Sequence, residues 1–214
     1  ISIGETNPDG STAGTNDIGI VSCFFTDCQS GRGGAIKAQD GTKSGDEQTL
    51  ISKCTFTNCI AKEGEGYAIS CRSYIISMYN LNFYDHKSTA NDKTHSIVYI
   101  EMNEAEQTPI LRDFTYERNS GVSGIILISA SSAILSNFTF RNYEDTIPCI
   151  NLDEWSIPVV NNILEGFQFH NIVNARCITM TEDKISATVT GSEFINISHK
   201  SVRGSIVPND GGSS

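Results

Sequence analysis

Seven cysteines at Cys23, Cys28, Cys54, Cys59, Cys71, Cys149 and Cys177 are the first residues in this 214-residue sequence whose spacing suggests chemistry. Cys23 and Cys28 repeat as Cys54 and Cys59, and Cys149 and Cys177 stand 28 apart. Thiolates spaced this closely can ligate zinc, but a zinc site needs four Cys or His donors converging on one point. Within each close pair the first Cys is expected to point inward and the second to lie beyond a turn, which separates them. A thiol nucleophile needs a neighbouring base, and His86, His95, His170 and His199 pair with no Cys by spacing. Two readings of the thiols stay open. If equivalent cysteines stack one strand apart, Cys23 with Cys54, Cys28 with Cys59 and Cys149 with Cys177 fall within disulfide range, with parallel side chains that would strain each bridge. Otherwise they form a ladder of buried free thiols acting as small apolar fillers. The odd number leaves at least one Cys without an internal partner.

Carboxylates are the second reactive class. Polysaccharide-active enzymes set two or three on one face. Here they gather in polar, turn-like segments, as Asp40, Asp46, Glu47, Glu63, Glu65, Asp145, Asp153, Glu154, Glu182 and Asp183. Stacked turns would bring Glu65 and Asp40 together, yet no Lys or Arg accompanies them, so they read as solvating charge. Acidic loops such as Glu101-Met102-Asn103-Glu104-Ala105-Glu106 would hold Ca²⁺ weakly at most, because neither known calcium-loop spacing is present. No cofactor is expected. Trp155 reads as a loop anchor, with a sugar-stacking platform as the alternative. Two glycosylation sequons occur, at Asn137-Phe138-Thr139 and Asn196-Ile197-Ser198. Asn137 is expected to face outward between inward Leu135 and Phe138. Asn196 is expected in a turn where a glycan competes with packing.

These residues are positioned by a repeat. Phe25, Phe56, Phe83, Tyr116, Phe140, Phe169 and Phe194 recur every 24 to 33 residues, about 28 on average. Five residues before each stands Ile20, Ile51, Met78, Leu111, Leu135, Leu164 or Val189, and two residues after each stands Asp27, Asn58, Asp85, Arg118, Asn142, Asn171 or Asn196. A period of this length marks a stacked repeat architecture. Asp and Asn tolerate left-handed backbone, so the residue after each aromatic is expected to turn the chain out of a strand and to stack as a ladder.

Each aromatic has a companion segment 8 to 14 residues later: Ala35-Ile36-Lys37-Ala38, Ala68-Ile69-Ser70-Cys71, Ile97-Val98-Tyr99-Ile100, Ile125-Ile126-Leu127-Ile128, Cys149-Ile150-Asn151-Leu152, Cys177-Ile178-Thr179-Met180 and Ser205-Ile206-Val207. Apolar residues two apart, bounded by Gly, Asn, Asp and Ser, read as short strands. Like residues at like positions fit parallel coils stacked about 4.8 Å apart. The expected fold is all-β: a right-handed parallel β-helix of about seven coils and about 28 residues per coil, the hand following the general preference of parallel crossovers. Residues 1–208 are expected to form one domain, a segment of a longer chain, with 209–214 as a flexible tail.

The composition agrees, since 38% hydrophobic and 19% charged residues suit a thin core under a polar, turn-rich surface. The net charge of −10, with 15 basic residues scattered among 25 acidic ones, argues against nucleic acid and anionic membranes as partners. No apolar run reaches the roughly 18 residues a membrane span needs.

Gly33-Gly34-Ala35-Ile36 after Phe25-Thr26-Asp27-Cys28 resembles the paired GGA[ILV] and FxxN repeats of the polymorphic membrane proteins, known from chlamydiae, with related repeats on trichomonad surfaces. Gly66-Tyr67-Ala68-Ile69 after Phe56-Thr57-Asn58-Cys59 is a second, looser copy, and Tyr116-Glu117-Arg118-Asn119 before Gly124-Ile125 a third. The resemblance implies a secreted or surface-displayed β-helical stalk serving adhesion or surface coating. The expected function is a non-enzymatic extracellular scaffold, adhesin-like or part of a filament. Its expected partners are a host or neighbouring-cell surface protein or glycan, or further coils or copies of itself end to end. The alternatives are a polysaccharide lyase or glycosidase, and a carbohydrate-binding module using the 39–48 loop and Trp155.

Overall fold

The computed structural model describes residues 2–3, 18–39, 48–62, 66–73, 75–88, 95–102, 108–128, 132–144, 147–153, 160–180, 185–198 and 206–208. Among them every regular element is a strand, and every strand pairing is parallel. The chain is a β-solenoid of about five turns with about 28 residues per turn.

Two long sheets run the length of the molecule. The companion sheet stacks Ser2–Ile3, Ile36–Gln39, Ile69–Ser73, Ser96–Met102, Ser123–Ile128, Ile150–Asp153, Ile178–Met180 and Ile206–Pro208, in that order. The aromatic sheet stacks Ile18–Val21, Gln48–Ser52, Ile75–Tyr84, Ile110–Glu117, Ser132–Ser136, Val160–Glu165 and Ile185–Thr190. A second limb of the aromatic sheet carries Phe24–Thr26, Thr55–Thr57, Thr139–Glu144, Gln168–Val173 and Glu193–Ser198. The two limbs are continuous in Ile75–Tyr84 and Ile110–Glu117. Gln29–Ser30 and Ile60–Ala61 form a short third sheet.

The register explains why this sequence stacks. All seven aromatics are direct partners along the axis, from Phe25 with Phe56 through to Phe169 with Phe194. Their rings stack at 5.0, 5.2, 4.8, 4.5, 5.1 and 5.1 Å. Each such contact contributes about 0.5–1.5 kcal/mol beyond the area it buries. Phe114 and Phe138 add a shorter parallel stack at 4.7 Å. Phe56, Phe83, Tyr116, Phe140 and Phe169 are wholly buried, whereas Phe25 is partly covered and Phe194 is 38% exposed. The sequence expectation of about seven coils counts every aromatic. The fully enclosed column is five rings deep, because the end rungs have a neighbour on one side.

The companion sheet supplies the opposite wall, with Ile36, Ile69, Val98, Ile125, Ile150 and Ile178 in one buried row. This corrects the sequence frame at one turn. Ile125, rather than Ile126, is the partner of Val98 and Ile150. Residues 125–128 are all aliphatic, so nothing in their types fixes which alternate face is inward. The segment 209–214 lies outside the described residues.

Candidate functional site

Two columns of left-handed backbone shape the surface. The residues after the aromatics all have positive φ: Asp27 53°, Asn58 49°, Asp85 58°, Arg118 56°, Asn142 53°, Asn171 55° and Asn196 54°. Their amides form the expected ladder, Asn58 Nδ2 donating to Asp27 Oδ1 at 2.8 Å, Asn171 to Asn142 at 3.0 Å and Asn196 to Asn171 at 2.9 Å. Where Arg118 interrupts the Asx run, its guanidinium donates to both oxygens of Asp85 at 2.8 and 3.0 Å. These hydrogen bonds hold the Asp85 carboxyl below its ordinary pKa.

Sequence reading missed the second column, three residues before each aromatic. Ser22, Lys53, Asn80, Asp113, Asn137, Gly166 and Gly191 there have φ between 54° and 68°. Asn137 Nδ2 donates to Asp113 Oδ1 at 2.9 Å. Both sequon asparagines are therefore exposed, as expected for Asn137, and both use Nδ2 in an axial ladder. A glycan on either nitrogen would have to share it with that bond.

All seven cysteines are free thiols. Cys54, Cys59, Cys71, Cys149 and Cys177 are buried, while Cys23 and Cys28 are partly covered. Cys23 and Cys28 stack on Cys54 and Cys59 as expected: Thr55 N donates to Cys23 O at 2.9 Å and Ile60 N to Cys28 O at 2.8 Å. The backbone N–H of Cys23 also points at Cys54 Sγ, 3.5 Å away. The Cys54 thiol donates to Ser52 O at 3.1 Å. Burial pushes the thiols of Cys59 and Cys71 up to about 12, which keeps them protonated and inert at neutral pH. Cys149 and Cys177 each precede a paired Ile in the companion sheet, Ile150 and Ile178.

The structure assembles two polar clusters that the sequence reading did not single out, although His86 and Asn119 share one position of the repeat, three residues after Phe83 and Tyr116. His86 is fully buried, and Asn119 Oδ1 accepts from its backbone N–H at 2.8 Å and from its Nδ1 at 3.1 Å. Asn119 Nδ2 donates in turn to Phe83 O at 3.2 Å. His95 Nδ1 lies within hydrogen-bond distance of two hydroxyls, Tyr67 Oη at 3.2 Å and Ser88 Oγ at 3.0 Å. A hydroxyl against an imidazole is half of a nucleophilic dyad. Here Tyr67 competes for the same nitrogen, and among the described residues no carboxylate hydrogen-bonds the ring to orient it.

Among the described residues no group of three or more His, Cys, Asp or Glu side chains is placed to hold a metal ion. Glu101, from the acidic loop considered for Ca²⁺, pairs with Arg72. Asp40, Asp46, Glu47, Glu63, Glu65, Asp145, Glu154, Trp155, Glu182, Asp183 and His199 lie outside the described residues, as does the 40–47 part of the loop considered for carbohydrate binding.

One concavity is built by regular strands. Lys37, Ser70 and Tyr99 are partners on three consecutive strands of the companion sheet, with Lys37 and Tyr99 half-buried and Ser70 buried between them. Beside them Arg72 and Glu101 are partners and form an ion pair. With Arg32 from the preceding corner they line a cleft of about 70 Å³. No family model, curated protein sequence or solved structure matches this chain.

Proposed function

We propose that this chain is a non-enzymatic, extracellular or surface-displayed β-helical scaffold, adhesin-like or a component of a filament. The observation that carries the reading is the use to which polar groups are put. The Asx and Arg side chains at the turns bond to the neighbouring coil, so the chemistry-bearing positions of the repeat serve stacking. A solenoid built this way offers long, regular faces, which suit extended contact with a surface. The resemblance to polymorphic membrane protein repeats supports the same reading, and it supplies the adhesive role and the surface location. The partners proposed are a surface protein or glycan of a host or neighbouring cell, or further copies stacked end to end.

A combined assay tests this. The purified chain is incubated with a panel of acidic and neutral polysaccharides while released reducing ends and unsaturated products are followed. In parallel, its binding to intact cells is measured. Cell binding without product release is the expected result. Catalytic turnover that disappears when a pair of acids is changed to amides would refute the scaffold reading.

A further inference from the structure

We propose that the outer face of the aromatic sheet's first limb is a pairing surface for a second copy of this chain, laid alongside with its axis reversed. The observation is a row of three isoleucines whose surroundings match themselves when the order of the rungs is inverted. This lateral contact goes beyond the scaffold reading and differs from end-to-end stacking, because it uses a face of the sheet and not an edge.

Alternation along the strands sets the row. Leu111, Leu135 and Leu164 are wholly buried, so the residue before each points outward. Those residues are Ile110, Ile134 and Ile163, direct partners on consecutive strands. Ile110 is 36% exposed and Ile163 47%, and Ile134 between them is half-buried. Scattered apolar residues at a surface need no explanation, but three stacked about 4.8 Å apart form a continuous ridge. The ridge ends in a hydroxyl on both sides, at Ser77 beyond Ile110 and at Thr188 beyond Ile163. On the second limb the same rungs carry Thr115, Thr139 and Gln168 just before the aromatics, so the ridge belongs to the first limb.

Two residues further along each strand, the outward row on these rungs reads Arg112, Ser136 and Glu165. Arg112 and Glu165 are exposed, and among the described residues neither forms an ion pair within the chain. Two rungs, about 9.6 Å, keep them from pairing with each other. A two-fold axis in the contact plane, running along the middle strand Ser132–Ser136, reverses the rung order and keeps each position along the strand. Ile134 then meets its own copy, and Ile110 meets Ile163. The hydroxyls of Ser77 and Thr188 face each other, and Arg112 faces Glu165 at both symmetry-related places. Such self-complementarity is what a closed two-fold contact requires, and it selects a second copy over an unlike partner. A two-fold parallel to the solenoid axis lacks it, since it sets the two Arg112 side chains on one rung and the two Glu165 on another. Five rungs of five or six residues make a patch of roughly 19 by 17 Å, well under the roughly 800 Å² per partner of a standard stable complex. The dimer is therefore weak, with a Kd on the order of tens of micromolar.

The test follows the 214-residue chain by sedimentation equilibrium from about 5 to about 500 µM, a range that brackets such a Kd. A monomer–dimer equilibrium is expected. Arg112→Glu alone and Glu165→Arg alone should each weaken it about tenfold or more, because like charges then face each other at both contacts. The two changes in one chain should restore it. Mixing the two single variants should restore it as well, since each supplies the charge that the other lacks. Ile134→Lys, on the axis, should leave a folded monomer, with circular dichroism checking the fold. Should it disturb the sheet, the exposed charge pair alone decides. A parent that stays monomeric throughout, association untouched by either charge change, or single variants that remain apart when mixed would each overturn the proposal. Growth beyond the dimer would point to an edge contact between rungs and overturn it too.

Discussion

Tyr116 is the one phenol in a column of phenylalanines, and its hydroxyl is buried with no hydrogen-bond partner. Burial holds its pKa well above the ordinary tyrosine value. A buried hydroxyl left unbonded costs about 1–3 kcal/mol, while the ring-on-ring contacts at 4.8 and 4.5 Å need no oxygen. Tyr116→Phe should therefore stabilise the fold by about 1 kcal/mol, read as a higher urea midpoint at unchanged m value. His86 argues in the opposite sense. Burial drives its pKa down to about 4, with the Asn119 bond working against the shift. Because Nδ1 is the donor to Asn119, protonation would place a second N–H at Nε2, which has no partner. Between pH 6.5 and 4 the unfolded chain takes up this proton and the folded chain does not. Stability is thus undiminished above pH 6.5 and falls as pH drops, by at most about 1.4 kcal/mol per pH unit and roughly 3 kcal/mol in all. His86→Leu should flatten the pH 6.5–5 limb of a stability profile measured by denaturant unfolding. An unchanged slope would mean that another group carries it.

At the scale of elements, the solenoid is held by columns of turns as well as by sheets. Asn171 sits at φ 55°, donates to Asn142 and accepts from Asn196. A side chain that cannot bond locally pays about 1 kcal/mol for that backbone, and each exposed hydrogen bond contributes about 0.5–1.5 kcal/mol. Asn171→Ala should cost about 2–3 kcal/mol in thermal or chemical unfolding. Asn171→Gly, which relieves the backbone but loses the same bonds, should cost clearly less. Equal losses would show that conformation contributes nothing. The first turn column was legible in the sequence because six of its seven members are Asp or Asn. The second was hidden because Ser22, Lys53, Asn80, Asp113, Asn137, Gly166 and Gly191 share a backbone angle and no residue type. Likewise the aromatic frame was readable because an aliphatic or Met residue stands five before each ring, and Asp or Asn two after six of the seven. His86 and Asn119 stand 33 apart at the same position of the coil, three residues after Phe83 and Tyr116, but as unlike residue types. Tyr67 and His95 stand 28 apart and one residue off register, so a search for like residues at like positions finds neither pair.

The whole molecule is quasi-one-dimensional, since each turn touches chiefly the turns above and below it. Damage should therefore spread according to where along the axis it falls, and two glycines allow this to be tested with one added methyl each. A Cβ on Gly34 would stand 2.1 Å from Tyr67 O and 2.8 Å from Ile60 O, at the junction of the first two rungs. On Gly124 it would meet Phe140 Cε1 at 2.5 Å and Cys149 O at 2.7 Å, in the middle of the ring column. Each includes a backbone oxygen closer than 3 Å, Tyr67 O for Gly34 and Cys149 O for Gly124, which the flanking strands must move to relieve, at roughly 3 kcal/mol or more. In this 214-residue chain, Gly34→Ala can be accommodated by opening residues 18–39 and 48–62 while Tyr116, Phe140 and Phe169 remain stacked. Gly124→Ala has no such exit, because both of its neighbouring turns are fully enclosed. Hydrogen exchange should show protection lost only in the first rungs for Gly34→Ala, with a lower m value for the remaining transition. For Gly124→Ala it should fall in the turns on both sides, with a large drop in midpoint. If instead both variants lose protection uniformly and unfold in one transition at the parental m value, coupling along the axis exceeds nearest neighbours. The ring column would then have to be treated as a single cooperative core.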